Sequence, residues 1–277
     1  MIKSFQFFDC PAIASPVRIP LCIAATFAGL IAIHLLFRFI LRAALRVNPG
    51  AGAAMDVRER VLMRYQGGDF YALVFAWFKI RMDAMFRELP EFVKLTPTPR
   101  ALLDVGCGFG IAGSWLLETF DGATIYAIDP SRDRVRGAAG AFGDRGRVIQ
   151  AAAPDFESPQ FPTRFDAVFF LDVAHFLPDA GLDLTLRRIS ARLDHSGVLY
   201  LRAPIQPQGK GSLIWRIDGI RRKLTGAVAN HRSVEQLQRR LEQAAFEIVQ
   251  MQMSGNNREL WWFIARPSLP SVSEIKP

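Results

Sequence analysis

Cysteine and histidine are both scarce, with three and four copies in 277 residues. Cys10, Cys22 and Cys107 form no Cys-x-x-Cys pair and no ligand cluster, so neither a disulfide framework nor a zinc site is indicated. A one-sided charge excess is also missing from the C-terminal two thirds. Residues 1–96 hold 12 Lys/Arg against 7 Asp/Glu, whereas residues 97–267 hold 21 against 18. A nucleic-acid enzyme would carry a basic stripe with interleaved aromatics on its catalytic part; the excess here sits ahead of it, which points to membrane topology. Disorder is excluded by composition, since half of the residues are hydrophobic and the chain is long enough for an α/β domain with an appendage.

What the chain does have is organised around Ala101-Leu-Leu-Asp-Val-Gly-Cys-Gly-Phe-Gly110. Leu102, Leu103 and Val105 suit a buried parallel strand. Gly106, Gly108 and Gly110 remove side chains where backbone turns tightly and approaches a ligand. Ile111 to Phe120 then has the pattern of a helix, and a second apolar run from Ala123 ends at Asp129, 19 residues past Gly110. There a βαβ unit delivers a carboxylate to ribose hydroxyls. A dinucleotide loop would read Gly-x-Gly-x-x-Gly and seat a pyrophosphate. This one reads Asp104-x-Gly-x-Gly-x-Gly, with an acid at its head, which suits a cationic cofactor.

The stretch resembles motif I of the class I S-adenosylmethionine-dependent methyltransferases, and Ala-Ile-Asp129-Pro resembles the acidic tip of their second strand. The resemblance covers residues 97–266 and is most specific over 101–130. It implies S-adenosyl-L-methionine as cofactor, with Gly106, Cys107, Gly108 and Gly110 along its methionine end and Asp104 as partner of its ammonium. It also implies Asp129 on both ribose hydroxyls. The family often has an Asp after strand three for the adenine amine; here Ala152 stands there, a departure, and Asp155 three residues later is the substitute. Pro130 and Phe156 are candidates to pack on the adenine. After strand four comes Leu171-Asp-Val-Ala-His-Phe176, a segment that borders the transferred methyl in small-molecule methyltransferases. Asp172 is a candidate for the cofactor ammonium and His175 for general base or acceptor positioning. No Asn-Pro-Pro-Tyr-type sequence of protein or nucleic-acid methyltransferases stands there.

Ahead of this domain, Ile19 to Phe37 is apolar apart from Thr26 and His34. Nineteen residues of helix span roughly 28 Å, enough for one crossing, after a short N-terminal tail of residues 1–18. Arg38, Arg42 and Arg46 follow on one face, and with Arg58 and Arg60 they place the C-terminal side in the cytoplasm by the positive-inside rule. A cleaved signal peptide and an interfacial or buried helix are the alternatives. Residues 47–55 form a small-residue linker. Asp56 to Met63 and Phe70 to Leu89 read as helices separated by Gln66-Gly-Gly-Asp69, the second one placing Tyr71, Phe75, Phe78, Met82 and Phe86 in the core and Lys79, Arg81, Asp83 and Arg87 on the wet face. Tyr65 and Tyr71 are candidate walls of the cofactor or acceptor site. Pro90 and the Thr96-Pro-Thr-Pro99 run end this helical segment of residues 47–96.

Beyond Asp129 the alternation of strands and helices continues, to seven strands in a doubly wound sheet with the last antiparallel, followed by a tail at 268–277. Ser233-x-x-Gln236 has the form of a capping box. The insertion between Ala203 and Arg232 carries Leu213, Ile217, Ile220 and Leu224 on one stripe against Arg216, Arg221, Arg222 and Lys223. It reads as a membrane-interface helix or as a lid. Trp215 within it and His231 after it are candidate substrate contacts, and His195 is a solvated turn residue. The expectation is a methyltransferase anchored in the inner membrane, acting on a small-molecule or lipid-linked acceptor, with the bilayer as partner and no nucleic acid. An adenosylmethionine-binding accessory protein and a nicotinamide-dependent oxidoreductase share the fold.

Overall fold

The computed structural model describes residues 35–41, 43, 45, 55–96, 98–207, 209, 211–212, 215–216 and 228–268. The chain divides into two compact units, residues 1–46 and 47–277. In the first, residues 35–41 are helical. The expected span at 19–37 lies outside the described residues but for its last three, as does most of the stripe Leu213 to Leu224. Among the described residues no helix is long and apolar enough to cross a membrane.

The second unit opens with three helices, α1 (Val57–Gln66), α2 (Phe70–Met82) and α3 (Met85–Phe92). Asp56 starts α1 with a full capping box, its carboxylate accepting the Glu59 amide while Glu59 reaches back. Gly67 ends it, and Asp69 caps α2 through the Ala72 amide. The single helix expected over 70–89 is broken in two. Asp83 leaves the helical region, and its Oδ1 accepts the Met85 amide at 2.9 Å. Pro90 does not end the segment; it lies inside α3, which runs two residues further into a 3₁₀ turn at Val93–Leu95.

Seven strands follow: β1 (Ala101–Val105), β2 (Thr124–Asp129), β3 (Gly146–Gln150), β4 (Phe165–Leu171), β5 (Leu193–Pro204), β6 (Phe246–Ser254) and β7 (Asn257–Pro267). Helices α4 (Ile111–Thr119), α5 (Arg132–Phe142), α6 (Asp179–Arg192) and α7 (Val234–Gln243) link them. The sheet order is β3-β2-β1-β4-β5-β7-β6. The first five strands are parallel, and β7 inserts antiparallel between β5 and β6. Because β1 hands on to β2 on one side and pairs with β4 on the other, a crevice opens beyond their carboxyl ends, where open α/β sheets bind ligands. Leu102, Leu103, Val105, Val168, Phe169 and Phe170 are fully buried on both faces. Each such side chain contributes about 1.5–3 kcal/mol of burial and fixes the strand ends that carry the site.

One expectation about the core is overturned. Tyr71, Phe75, Phe78 and Met82 do not face it; they are 63%, 38%, 55% and 64% exposed, and only Phe86 is buried. The inner face of α2 is Ala72, Leu73, Ala76 and Ile80, the small alanines favouring close approach. Both faces of this helix are apolar, so periodicity alone does not say which one turns inward.

Candidate active site

The glycine turn at the end of β1 is held from two sides. Gly106 and Cys107 both donate to the Ile128 carbonyl, at 2.8 and 2.9 Å. Asp129, at the tip of β2 and 3% exposed, accepts the Gly108 amide on Oδ2 at 3.0 Å and the Ser131 amide on Oδ1 at 2.9 Å. Its carboxylate therefore braces the turn while keeping further acceptor capacity. Gly106, Gly108 and Gly110 all have positive φ. A Cβ on Gly106 would strike Val173 at 2.5 Å and one on Gly110 the Phe142 ring at 2.7 Å, whereas one on Gly108 would meet nothing within 4 Å. The crevice thus lies open at Gly108.

Asp104 is the electrostatic centre of the turn. It is 2% exposed, and its Oδ2 has no hydrogen-bond partner among the described residues. Burial, and then the nearby Asp129 charge, push its carboxyl up to about 7. The Cys107 thiol is pushed well above its ordinary value by burial and by Asp104, so it is a protonated wall of the turn and not a nucleophile. Tyr65 on α1 closes the turn from outside. Its hydroxyl donates to the Phe109 carbonyl at 3.0 Å and lies 3.1 Å from the Ser114 hydroxyl. Tyr71 on α2 sets its ring edge against Phe109, 5.6 Å between centroids. Tyr65, Tyr71 and Phe109 also line a cleft of about 650 Å³ against Gly137 and Gly140 of α5.

The residues expected around the adenine differ in exposure. Pro130 is exposed, Asp155 is turned to solvent in an ion pair with Arg188 at 2.7 Å, and Phe156 is fully buried in the core.

At the end of β4, Asp172 sits in the left-handed region, φ 60°. Its oxygens face Arg202 of β5, Nε to Oδ1 2.9 Å, and the Lys79 ammonium at 3.4 Å. Arg202, 1% exposed, also grips Asp83 with both terminal nitrogens at 2.6 and 2.7 Å, and Lys79 lies 3.1 Å from Asp83. Lys79 and Asp83, expected on a wet face, are instead half of a four-charge cluster that ties α2 to the β4 and β5 ends. Arg202 and Lys79 hold both carboxyls below their ordinary values, against the opposing effect of burial.

Past Asp172, His175, His231 and Trp215 come together although they lie far apart in sequence. The His175 ring is 5.6 Å from His231 and nearly parallel to it at 6°, and the His231 ring is 4.3 Å from Trp215. Phe176, 3.9 Å from His175, extends the row. Sequence reading missed what fixes this segment. Arg232, 5% exposed, donates to the carbonyls of Ala174 and Leu177 and to Asp179, and the Asn230 amide donates to the His175 carbonyl at 2.6 Å. A lone arginine beside a capping box carries no spacing signal that would have revealed this clamp.

Residues 103–199 match a family described as a methyltransferase domain. The fold is similar to that of mitomycin 7-O-methyltransferase (15% identity over 72% of this chain and 57% of that one, TM-score 0.56). It is also similar to human N-acetylserotonin methyltransferase in complex with S-adenosylmethionine (16%, 77% and 57%, 0.54). A third is the 1,6-didemethyltoxoflavin-N1-methyltransferase of Burkholderia thailandensis with bound 1,6-didemethyltoxoflavin and S-adenosylhomocysteine (17%, 80% and 94%, 0.53). The chain spans 57% of the length of the first two. The match to the family model covers about a third of the chain, and the seven-stranded α/β fold is the one it shares with these structures.

Proposed function

We propose that the protein transfers a methyl group from S-adenosyl-L-methionine to a small-molecule or lipid-linked acceptor at the cytoplasmic face of a membrane. One observation carries the cofactor: the buried, unpartnered Asp104 carboxylate beside a glycine turn that is open at Gly108. A buried anion without a partner is costly, and a ligand cation answers it. The amino-acid end of adenosylmethionine brings such a cation, whereas a nicotinamide dinucleotide would bring pyrophosphate to the same turn. Asp129 offers its remaining lone pairs to ribose hydroxyls. Bound there, the cofactor supplies an electrophilic methyl on a positively charged sulfur.

The protein's own part is positioning and, for an O–H or N–H acceptor, a proton acceptor. His175 is the residue for that role, its carbonyl held by the Asn230 amide, the neighbouring Ala174 carbonyl by Arg232, and its ring set parallel to His231. Trp215 and His231 form an aromatic wall on the acceptor side. Asp172, engaged by Arg202 and Lys79, sets the conformation of the β4 end. A small acceptor agrees with the bound 1,6-didemethyltoxoflavin of the Burkholderia enzyme.

The membrane location is supported by the apolar run at 19–37 with its arginine flank. It is supported also by residues 35–41, where Leu35, Leu36, Phe37, Phe39 and Ile40 are all 57–72% exposed around Arg38, large apolar side chains that a lipid surface would cover. The test is thermal stabilisation by adenosylmethionine, adenosylhomocysteine, NAD and NADP. The first two raise the melting temperature; stabilisation by a nicotinamide cofactor alone overturns the assignment.

A further inference from the structure

Among the described residues the outer face of α2 is an exposed apolar ridge. Tyr71, Phe75, Phe78 and Met82 recur at helical spacing opposite the buried Ala72, Leu73, Ala76 and Ile80. They form a ridge roughly 16 Å long at about 1.5 Å per residue. Four large side chains about half exposed present roughly 400 Å². That is a large patch for a protein surface, yet about half of what each partner of a stable dimer buries, ~800 Å². A lipid surface has no such threshold and needs no shape match.

Charge points the same way. α2 contains no acid, its flanking Asp69 and Asp83 are engaged as a cap and in the Arg202 cluster, and with Lys79 paired to Asp83 and Asp172 it is Arg81 that turns a cation to solvent. The Arg81 guanidinium lies 4.5 Å from the Trp77 ring centroid on one flank of the ridge, a pairing suited to the headgroup layer. The ridge also adjoins the crevice. Tyr71 and Phe75 pack on Phe109 of the glycine turn at 5.6 and 6.1 Å, and Lys79 on the other flank reaches Asp172 at the end of β4.

We infer that the outer face of α2 seats in the headgroup and acyl boundary of an anionic bilayer and holds the mouth of the methyl-transfer crevice at the lipid surface. This rests on the membrane location proposed above and adds to it a docking face inside the unit of residues 47–277, separate from residues 19–37. An acceptor carried in the membrane would then meet the crevice without crossing water.

The experiment uses the full chain bound to vesicles of phosphatidylethanolamine and phosphatidylglycerol. Phe78→Cys carries a nitrobenzoxadiazole probe in a Cys10→Ser, Cys22→Ser, Cys107→Ser background, since Cys107 is a partly exposed free thiol. Arg239→Cys on the exposed side of α7 is the control. Emission from position 78 shifts to the blue and is quenched several-fold by nitroxide-labelled lipid, while position 239 is unaffected. Protein that binds the vesicles with position 78 still water-exposed overturns the docking face and leaves the membrane location standing. A chain that does not bind vesicles removes the location itself. A blue shift that grows with protein concentration in the absence of lipid identifies a second copy as the occupant and also overturns it.

Discussion

Asp104 sets stability and cofactor binding against each other in a single side chain. With its folded-state carboxyl at about 7 and an unfolded value near 3.8, the folded protein binds more protons between those limits. Stability is therefore fully present below the lower one, falls as pH rises toward 7, and stays down above it. Three pH units at about 1.36 kcal/mol each put the upper bound near 4 kcal/mol. Asp104→Asn removes the slope, so the variant without ligand melts several degrees above the parent at pH 8 and at a similar temperature near pH 4. Its adenosylmethionine affinity drops at least tenfold, because the ammonium loses a charged partner. In the parent, calorimetric titration finds affinity rising from pH 6 to about pH 7.5 as Asp104 ionises. A pH-independent affinity would remove Asp104 from the ammonium site.

Between elements, the joint that matters is Arg202. It binds Asp172 thirty residues away and Asp83 119 residues away, and so joins α2 and α3 to the ends of β4 and β5. Arg202→Gln leaves two carboxylates short of a partner and costs about 3–5 kcal/mol, read as a lower denaturant midpoint. Both carboxyls lie below their ordinary value in the fold. Their contribution is present above about pH 4 and is lost as pH falls below it. The parent therefore loses stability steeply in acid, while the variant starts lower and shows a shallower acid slope; equal slopes would mean the cluster is not what depresses them. This joint also marks the limit of sequence reading. The strands, the glycine turn and Asp129 were legible because each is a local pattern of a few residues. The cluster was not, since Lys79 and Asp83 have the spacing of a solvated face and nothing near Arg202 names its partners. Nor could periodicity orient α2, where only tertiary packing chooses between two apolar faces.

For the whole molecule, the function proposed above assigns location and chemistry to different parts of the chain. Residues 47–277 form one compact unit with its own sheet and core, and every residue assigned to the cofactor lies within it. The apolar run at 19–37 lies wholly outside it. A chain beginning at Val47 should therefore fold, match the full chain in melting temperature within a few degrees, and bind adenosylhomocysteine with the same affinity. Its membrane behaviour changes in kind. A spanning helix is effectively irreversible, whereas an interfacial patch of four side chains flanked by the Arg81 guanidinium gives marginal, reversible binding. That attraction is screened within about 10 Å at 0.1 M salt. The truncated chain should sediment with anionic vesicles at low ionic strength, come free in high salt, and lose most of the remaining binding on Phe78→Glu. Full-length protein should stay with the vesicles under every one of these conditions. If truncation abolished cofactor binding instead, residues 1–46 would belong to the catalytic unit, and the division between an anchoring part and a chemical part would fail.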